Sequence, residues 1–316
     1  MTPPAESPTV GWSTRGARMT EYQYVLYEPL DDGRIVRIML NRPEARNAQN
    51  RVMLVELNEA FLRAERDDEV RVVILGGAGP MFTSGHDLGS KASRDEMETH
   101  QSWKENGGTR KGAERLMLQE WHHFFDNTRR WRNLRKITVA QVHGPVYAAG
   151  LMLMWACDLI VAAEGTVFAD VVGTRLGMCG VEYFAHPWEF GPRKAKELLL
   201  TGDSISAEEA HQLGMVSKIF PLDDLSDATL EFARRIAATP TMAALLAKEA
   251  VNQSVDNMGF YNALNACFTL HELNHSHWAQ VHDNGYPIAL EEDGVPNWKE
   301  APPVVPAVVD QVRVEP

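Results

Sequence analysis

The sequence predicts an α/β fold of repeated strand, turn and helix units, followed by a wholly helical C-terminal region. Three observations carry that expectation. Strand, loop, helix and strand follow one another over residues 34–75 and again, in the same order, over residues 138–163. Residues 70–75 (VRVVIL) read as a buried strand, and 138–142 as a short apolar one. From Leu225 onward the apolar spacing is helical only. The two units share order and not sequence, and they suggest a repeat rather than a plain doubly wound sheet.

Composition bounds the partners. With 316 residues and 44% hydrophobic content, the chain can form one large domain or a main domain with an appendage. A formal net charge of −12 argues against nucleic acid or an anionic membrane as a general partner. The three cysteines, Cys157, Cys179 and Cys267, are widely spaced and form no CxxC pair, which reads as a reduced, cytoplasmic chain. Residues 1–18 are rich in Pro, Ser and Thr and lack the apolar core of a signal peptide. They are expected to be a disordered extension. The folded core is expected over 19–222, a helical region over 223–286, and a Pro-rich strap or disordered tail over 287–316. No window offers the ~20 unbroken apolar residues of a membrane span.

In chain order, residues 24–28 and 34–40 alternate as a hairpin around Asp31-Asp32-Gly33. The Pro and Asn residues of 41–48 end the strand. Residues 51–66 are helical, with Leu54, Leu57, Phe61 and Ala64 on one face. The polar segment 89–112 reads as mobile, and 114–135 as one helix anchored by Trp121, Phe124 and Trp131. Residues 191–200 are helical. Ser206-Ala207-Glu208-Glu209 opens a helix that stops at Gly214. A short strand (215–220) and helices over 226–238, 242–255 and 259–280 complete the pattern.

The stretch richest in chemistry is 139–158. A strand runs into His143-Gly144-Pro145, and Ala148-Ala149-Gly150 opens a helix. Small residues there let a ligand approach free N–H groups that carry partial positive charge. Such a turn suits an anion, or an oxygen that becomes anionic during a reaction. It is equally compatible with tight packing in a core.

Four pieces taken together resemble the crotonase, or enoyl-CoA hydratase/isomerase, superfamily. They are LNRPEARNA (40–48), GPMFTSGHDL (79–88), VHGPVYAAG with Cys157-Asp158, and ELLLTGDSISAEEAHQLGMVSKIFP (197–221), in the family's order across about residues 20–280. The resemblance implies a crotonase-like spiral of ββα turns, with a C-terminal helical region that builds a homotrimer or a dimer of trimers. It also implies acyl-CoA thioesters as substrates, with no cofactor beyond that CoA and no metal. By the same resemblance, two backbone N–H groups, His86 and Ala149, stabilise a thioester enolate or oxyanion. Arg46 would meet the CoA phosphates, the adenine would lie against the backbone near Phe82 and Ser84, and Lys248 would reach a CoA. Side chains at the donor positions can vary as long as the backbone geometry holds, and alanines at 148 and 149 are tolerable provided φ stays negative.

The family's hydratases use two glutamates. Here Met152 occupies the first position, and Val172 (or Val171) the second. None of these can transfer a proton. Candidates to replace them are Glu182, Asp170, and His86 or His186. A one-base reaction is therefore expected: isomerisation, or hydrolysis of a C–C or thioester bond. The alternative is a CoA-binding subunit with little catalysis. His271, His275 and His277 read as a helix face at a subunit contact rather than a metal site, and GGAGP (76–80) fails the dinucleotide-binding pattern.

Overall fold

The computed structural model describes residues 22–281. The extension expected at 1–18 and the tail expected at 287–316 lie outside the described residues.

β1 (Val25–Leu30) and β2 (Ile35–Leu40) form the antiparallel hairpin, with Val25 opposite Leu40. α1 (Arg51–Arg66) is capped by Asn50, whose side chain accepts the Met53 N–H. Its buried face includes Leu54, Leu57, Phe61 and Ala64, as the spacing required. β3 (Val72–Gly77) follows.

Two expectations need correction next. Residues 91–99 form a helix, α2 (Lys91–Thr99), where a mobile segment was expected. The segment hides its order because its anchors are polar. Ser90 Oγ accepts the Ser93 N–H, and buried Glu96 accepts from Asn50 and the Val52 N–H at the start of α1. Residues 114–135 are not one regular helix. α3 (Gly112–Glu120) passes through a π-helical turn (Trp121–Asp126) into α4 (Asn127–Arg132). A π turn adds a residue and rotates the following face. Trp121 is accordingly exposed, while Phe125 and Trp131 are buried.

β4 (Ile137–Val142), β5 (Pro145–Tyr147) and α5 (Ala149–Trp155) make one strand–strand–helix turn. β6 (Leu159–Ala163), β7 (Val167–Ala169) and α6 (Val172–Leu176) make the next. α7 (His186–Thr201), β8 (Ser204–Ser206), α8 (Ala207–Leu213) and β9 (Lys218–Phe220) follow. Ser206 caps α8 by accepting the Glu209 N–H, and Gly214 ends it at φ 91°. α9 (Leu225–Ala237), α10 (Thr241–Asn257) and α11 (Phe260–Val281) form the expected helical end.

First strands and second strands sort into separate sheets. The large sheet runs β1-β2-β3-β4-β6-β9 and the small one β5-β7-β8. Beyond the hairpin, all pairs in the large sheet are parallel. The ββα repeat is thus present, with the second strand of each unit too short to stand out in the sequence. A parallel sheet needs cover on both faces. Val73 and Leu75 pack into the main core, whereas Val72 and Ile74 pack with Leu225, Ala233 and Ala237 of α9. The main core also holds α1 and α5, which places the strand-to-helix turns at its edge.

Candidate active site

Two loops and the start of α5 build the site. Asn47 organises the first loop. Its Oδ1 accepts the Arg42 N–H, and its Nδ2 donates to the carbonyls of Ala78, Met81 and Phe82. Arg42 is buried against Asp87 and also donates to Ser90 Oγ and Ala48 O. Burial would raise the Asp87 carboxyl, but hydrogen bonds from Ser90 and Arg42 hold it below its usual range. These bonds clamp 41–50 to 79–90.

The loop geometry then exposes donors. Gln49 N–H donates to Gly85 O (2.8 Å) and Asp87 N–H to Gln49 O (3.1 Å), so His86 N–H turns away from Gln49. Gly85, at φ 95°, comes so close to α5 that a Cβ would lie 2.9 Å from Tyr147 O and 3.3 Å from Ala149 N. Ala149 is the first residue of α5, and Gln49 Nε2 donates to its carbonyl (3.3 Å). Among the described residues, neither the His86 nor the Ala149 N–H donates to another group. The condition of negative φ is not met at Ala148, which adopts φ 49° and ψ −118°. That conformation normally goes to glycine, and here the neighbouring turn imposes it.

Gln49, His86, His123, Phe124, Ala149 and Met152 line one narrow cavity of about 10 Å³, close to the room one water needs. Met152, which the sequence reading set at the first glutamate position, is among the residues that line the cavity. The His86 ring stacks on Phe124 with centroids 3.7 Å apart. Burial pushes His123 down to about 2, with Arg51 adding to the effect, so it is neutral and neither ring nitrogen has a hydrogen-bond partner.

Behind His86 stands Glu182, its Oε1 3.4 Å from His86 Nε2. Glu182 Oε2 lies 3.5 Å from His271 Nδ1. Burial opposes the charge of Glu182, yet His271 and then His86 outweigh it and hold the carboxyl down to about 2. His271 gains correspondingly: burial disfavours its cation, but Glu182, then the Cys179 side chain and Glu120, raise it well above the imidazole range.

Asp170 and His186 are buried together, Oδ2 to Nε2 at 2.9 Å, with Trp155 edge-on to the His186 ring. Asp170 Oδ1 also accepts the Val172 N–H. Neither residue lines the cavity. Arg46 is exposed, and its carbonyl accepts the Ser84 N–H, which brings these two predicted residues together. Phe82 is fully buried and donates its N–H to His143 O. Lys248 stands apart from the cavity, donating to Asp158 Oδ2 and Lys136 O at 2.9 Å each. His271 and His275 are buried inside the subunit against Glu120, where a subunit contact was expected, and only His277 is exposed. Sequence reading missed Gln49, His123 and Glu120. Gln49 alone had a signal, lying just past the NRPEARNA segment.

The chain is similar to known proteins over most of its length. A family model described as enoyl-CoA hydratase/isomerase matches residues 31–301. The Mycobacterium tuberculosis protein EchA13, whose name places it with the enoyl-CoA hydratases, is 62% identical over 298 residues, or 93% of this chain and 94% of its own. The crystal structure of a probable enoyl-CoA hydratase from Mycobacterium smegmatis has a TM-score of 0.74 at 41% identity, covering 84% of this chain and 99% of that one. The 1,2-epoxyphenylacetyl-CoA isomerase of Escherichia coli K12 is 30% identical over 226 residues, 71% of this chain and 80% of its own. A family model matching residues 31–301, together with a relative 62% identical over 93% of the chain, leaves one conclusion: this chain belongs to the enoyl-CoA hydratase/isomerase family.

Proposed function

We propose that the chain acts on acyl-CoA thioesters by holding an enolate oxygen between the His86 and Ala149 N–H groups, with His86 and Glu182 as its acid–base pair. The observation that carries this reading is the Glu182 carboxylate 3.4 Å from a His86 imidazole that lines the same cavity as Ala149. Donors already in place need no reorganisation as the thioester oxygen gains charge, and losing one typically costs about 2.7–4 kcal/mol of barrier. The reaction class that fits is one-base chemistry. In a 3-enoyl thioester the pair takes a proton from C2, the two N–H groups hold the dienolate oxygen, and the proton returns at C4. The result is a 2-enoyl thioester. Hydrolysis of a C–C or thioester bond uses the same oxyanion site, and Met152 at the first glutamate position disfavours ordinary two-glutamate hydration.

Arg46, beside the Ser84 backbone, is the proposed partner of the CoA phosphates, with the adenine along 82–84. Lys248 would have to leave Asp158 to take part. The exposed apolar residues Met242, Leu246 and Val251 of α10 and Leu270 and Leu273 of α11 support a homotrimer or a dimer of trimers. Among the described residues no helix is long and apolar enough to cross a membrane, and a cytoplasmic location is proposed.

Turnover of a 3-enoyl-CoA and of crotonyl-CoA by wild type, Glu182→Gln, His86→Gln and Asp170→Asn tests the assignment. The first two variants should lose about 10²–10⁴ in kcat with thioester binding kept, and Asp170→Asn should retain the chemistry. Equal turnover in Glu182→Gln would overturn the pair. The narrow cavity and Met152 also support a second reading, a CoA-binding subunit. Thioester binding without any turnover by wild type would favour it.

A further inference from the structure

Three buried side chains outside the cavity converge on a single point. Glu120 ends α3, and His271 and His275 lie one turn apart on α11. Glu120 Oε2 is 3.0 Å from His271 Nε2 and 3.2 Å from His275 Nε2, and the two nitrogens are 3.1 Å from each other. All three residues are at least nine-tenths buried.

Hydrogen bonding alone accounts poorly for that triangle. If both imidazoles donate to Glu120, two N–H donors crowd the same oxygen and face each other across 3.1 Å. Ligands of one metal ion are arranged in just this way. With bonds of about 2.0–2.1 Å, tetrahedral ligand atoms stand roughly 3.4 Å apart, only a few tenths of an ångström wider than here.

The surroundings point the same way. A metal-bound histidine usually presents its other nitrogen to a carboxylate, and His271 Nδ1 faces Glu182 Oε2 at 3.5 Å. Glu272 is buried with no hydrogen-bond partner for either carboxylate oxygen. Buried acidic oxygens without a hydrogen-bond donor call for a partner of another kind.

We propose that Glu120, His271 and His275 form a three-ligand site for a divalent first-row transition metal, with Glu182 as the carboxylate behind His271. Two imidazoles and one carboxylate suit zinc, cobalt or iron(II), with a further position open to water. Bound at His271 Nε2, the ion leaves that residue's proton on Nδ1, 3.5 Å from Glu182 Oε2, the carboxylate that also meets His86. It also ties α11 to α3. This departs from the sequence-level expectation that no metal is needed.

The full-length protein, stripped with a chelator, is titrated with Zn²⁺ and Co²⁺ and its metal content measured. One ion per chain is expected, with visible d–d absorption for Co²⁺ that differs from the aqueous ion. His275→Ala and Glu120→Gln should abolish stoichiometric binding, Glu182→Gln should weaken it about 10–100-fold, and exposed His277→Ala should leave it intact. A chain that takes up no ion, or keeps it after both His275→Ala and Glu120→Gln, overturns the site. If the ligand variants fail to fold, the wild-type Co²⁺ spectrum decides, an aqueous-type spectrum ruling the site out. Metal content is read without turnover, so this result and the acyl-CoA reading can fail separately.

Discussion

Ala148 carries a local cost in the backbone. At φ 49° and ψ −118° it pays a strain of about 1–3 kcal/mol, whereas glycine at the same place would pay about 0.4–1 kcal/mol in unfolded-state entropy. Ala148→Gly should therefore be neutral or raise stability by roughly 1 kcal/mol in a urea titration. Arg42 and Asp87 are the opposite case, a buried pair whose members depend on each other. Asp87→Asn should destabilise by about 3–5 kcal/mol, visible as a lower urea midpoint, and should loosen the loop that carries His86. At this scale some roles were readable from residue type alone. Met152 has no proton to give, and the small residues at 148–150 leave room at a helix start. The partner of His86 was not readable, because nothing in residue spacing states which of Glu182, Asp170 or His186 packs behind it.

Elements show where local rules compete with packing. α2 was hidden because its cap and its buried Glu96 are polar, and hydrophobic periodicity detects only apolar faces. The π turn at Trp121–Asp126 was hidden because spacing assumes regular helix, whereas packing here favoured an added residue. That turn puts Phe124 against His86 and narrows the cavity. Phe124→Ala should lower KM for longer acyl chains more than for crotonyl-CoA, and equal effects on both would argue that Phe124 does not border the acyl path. In the first turn of α7, burial pushes Glu189 from the usual 4.5 up to about 7. Between those values the folded state keeps a proton that the unfolded chain has released. Stability should then fall as pH rises from 4.5 through about 7, and Glu189→Gln should flatten that slope in denaturation series across the range.

Across the whole molecule, α10 and α11 leave large apolar side chains in solvent, including Met242, Leu246 and Leu273. A subunit of this kind is expected to associate through them. Sedimentation should find a trimer or a multiple of it, and Leu246→Asp should shift the protein toward smaller species. Helices with clean 3.6-residue spacing, the hairpin at Asp31-Asp32-Gly33 and the capped α8 were legible from local chemistry, since each depends on neighbours a few residues away. The four motif segments, in order, were enough to identify the family. Folding alone decided the rest. It set the second, small sheet from three-residue strands, the placement of Glu182 on His86, and the meeting of Glu120 with His271 across 151 residues of chain. Those contacts arise when separate elements pack, and packing distance is not written in the spacing of residues along the chain.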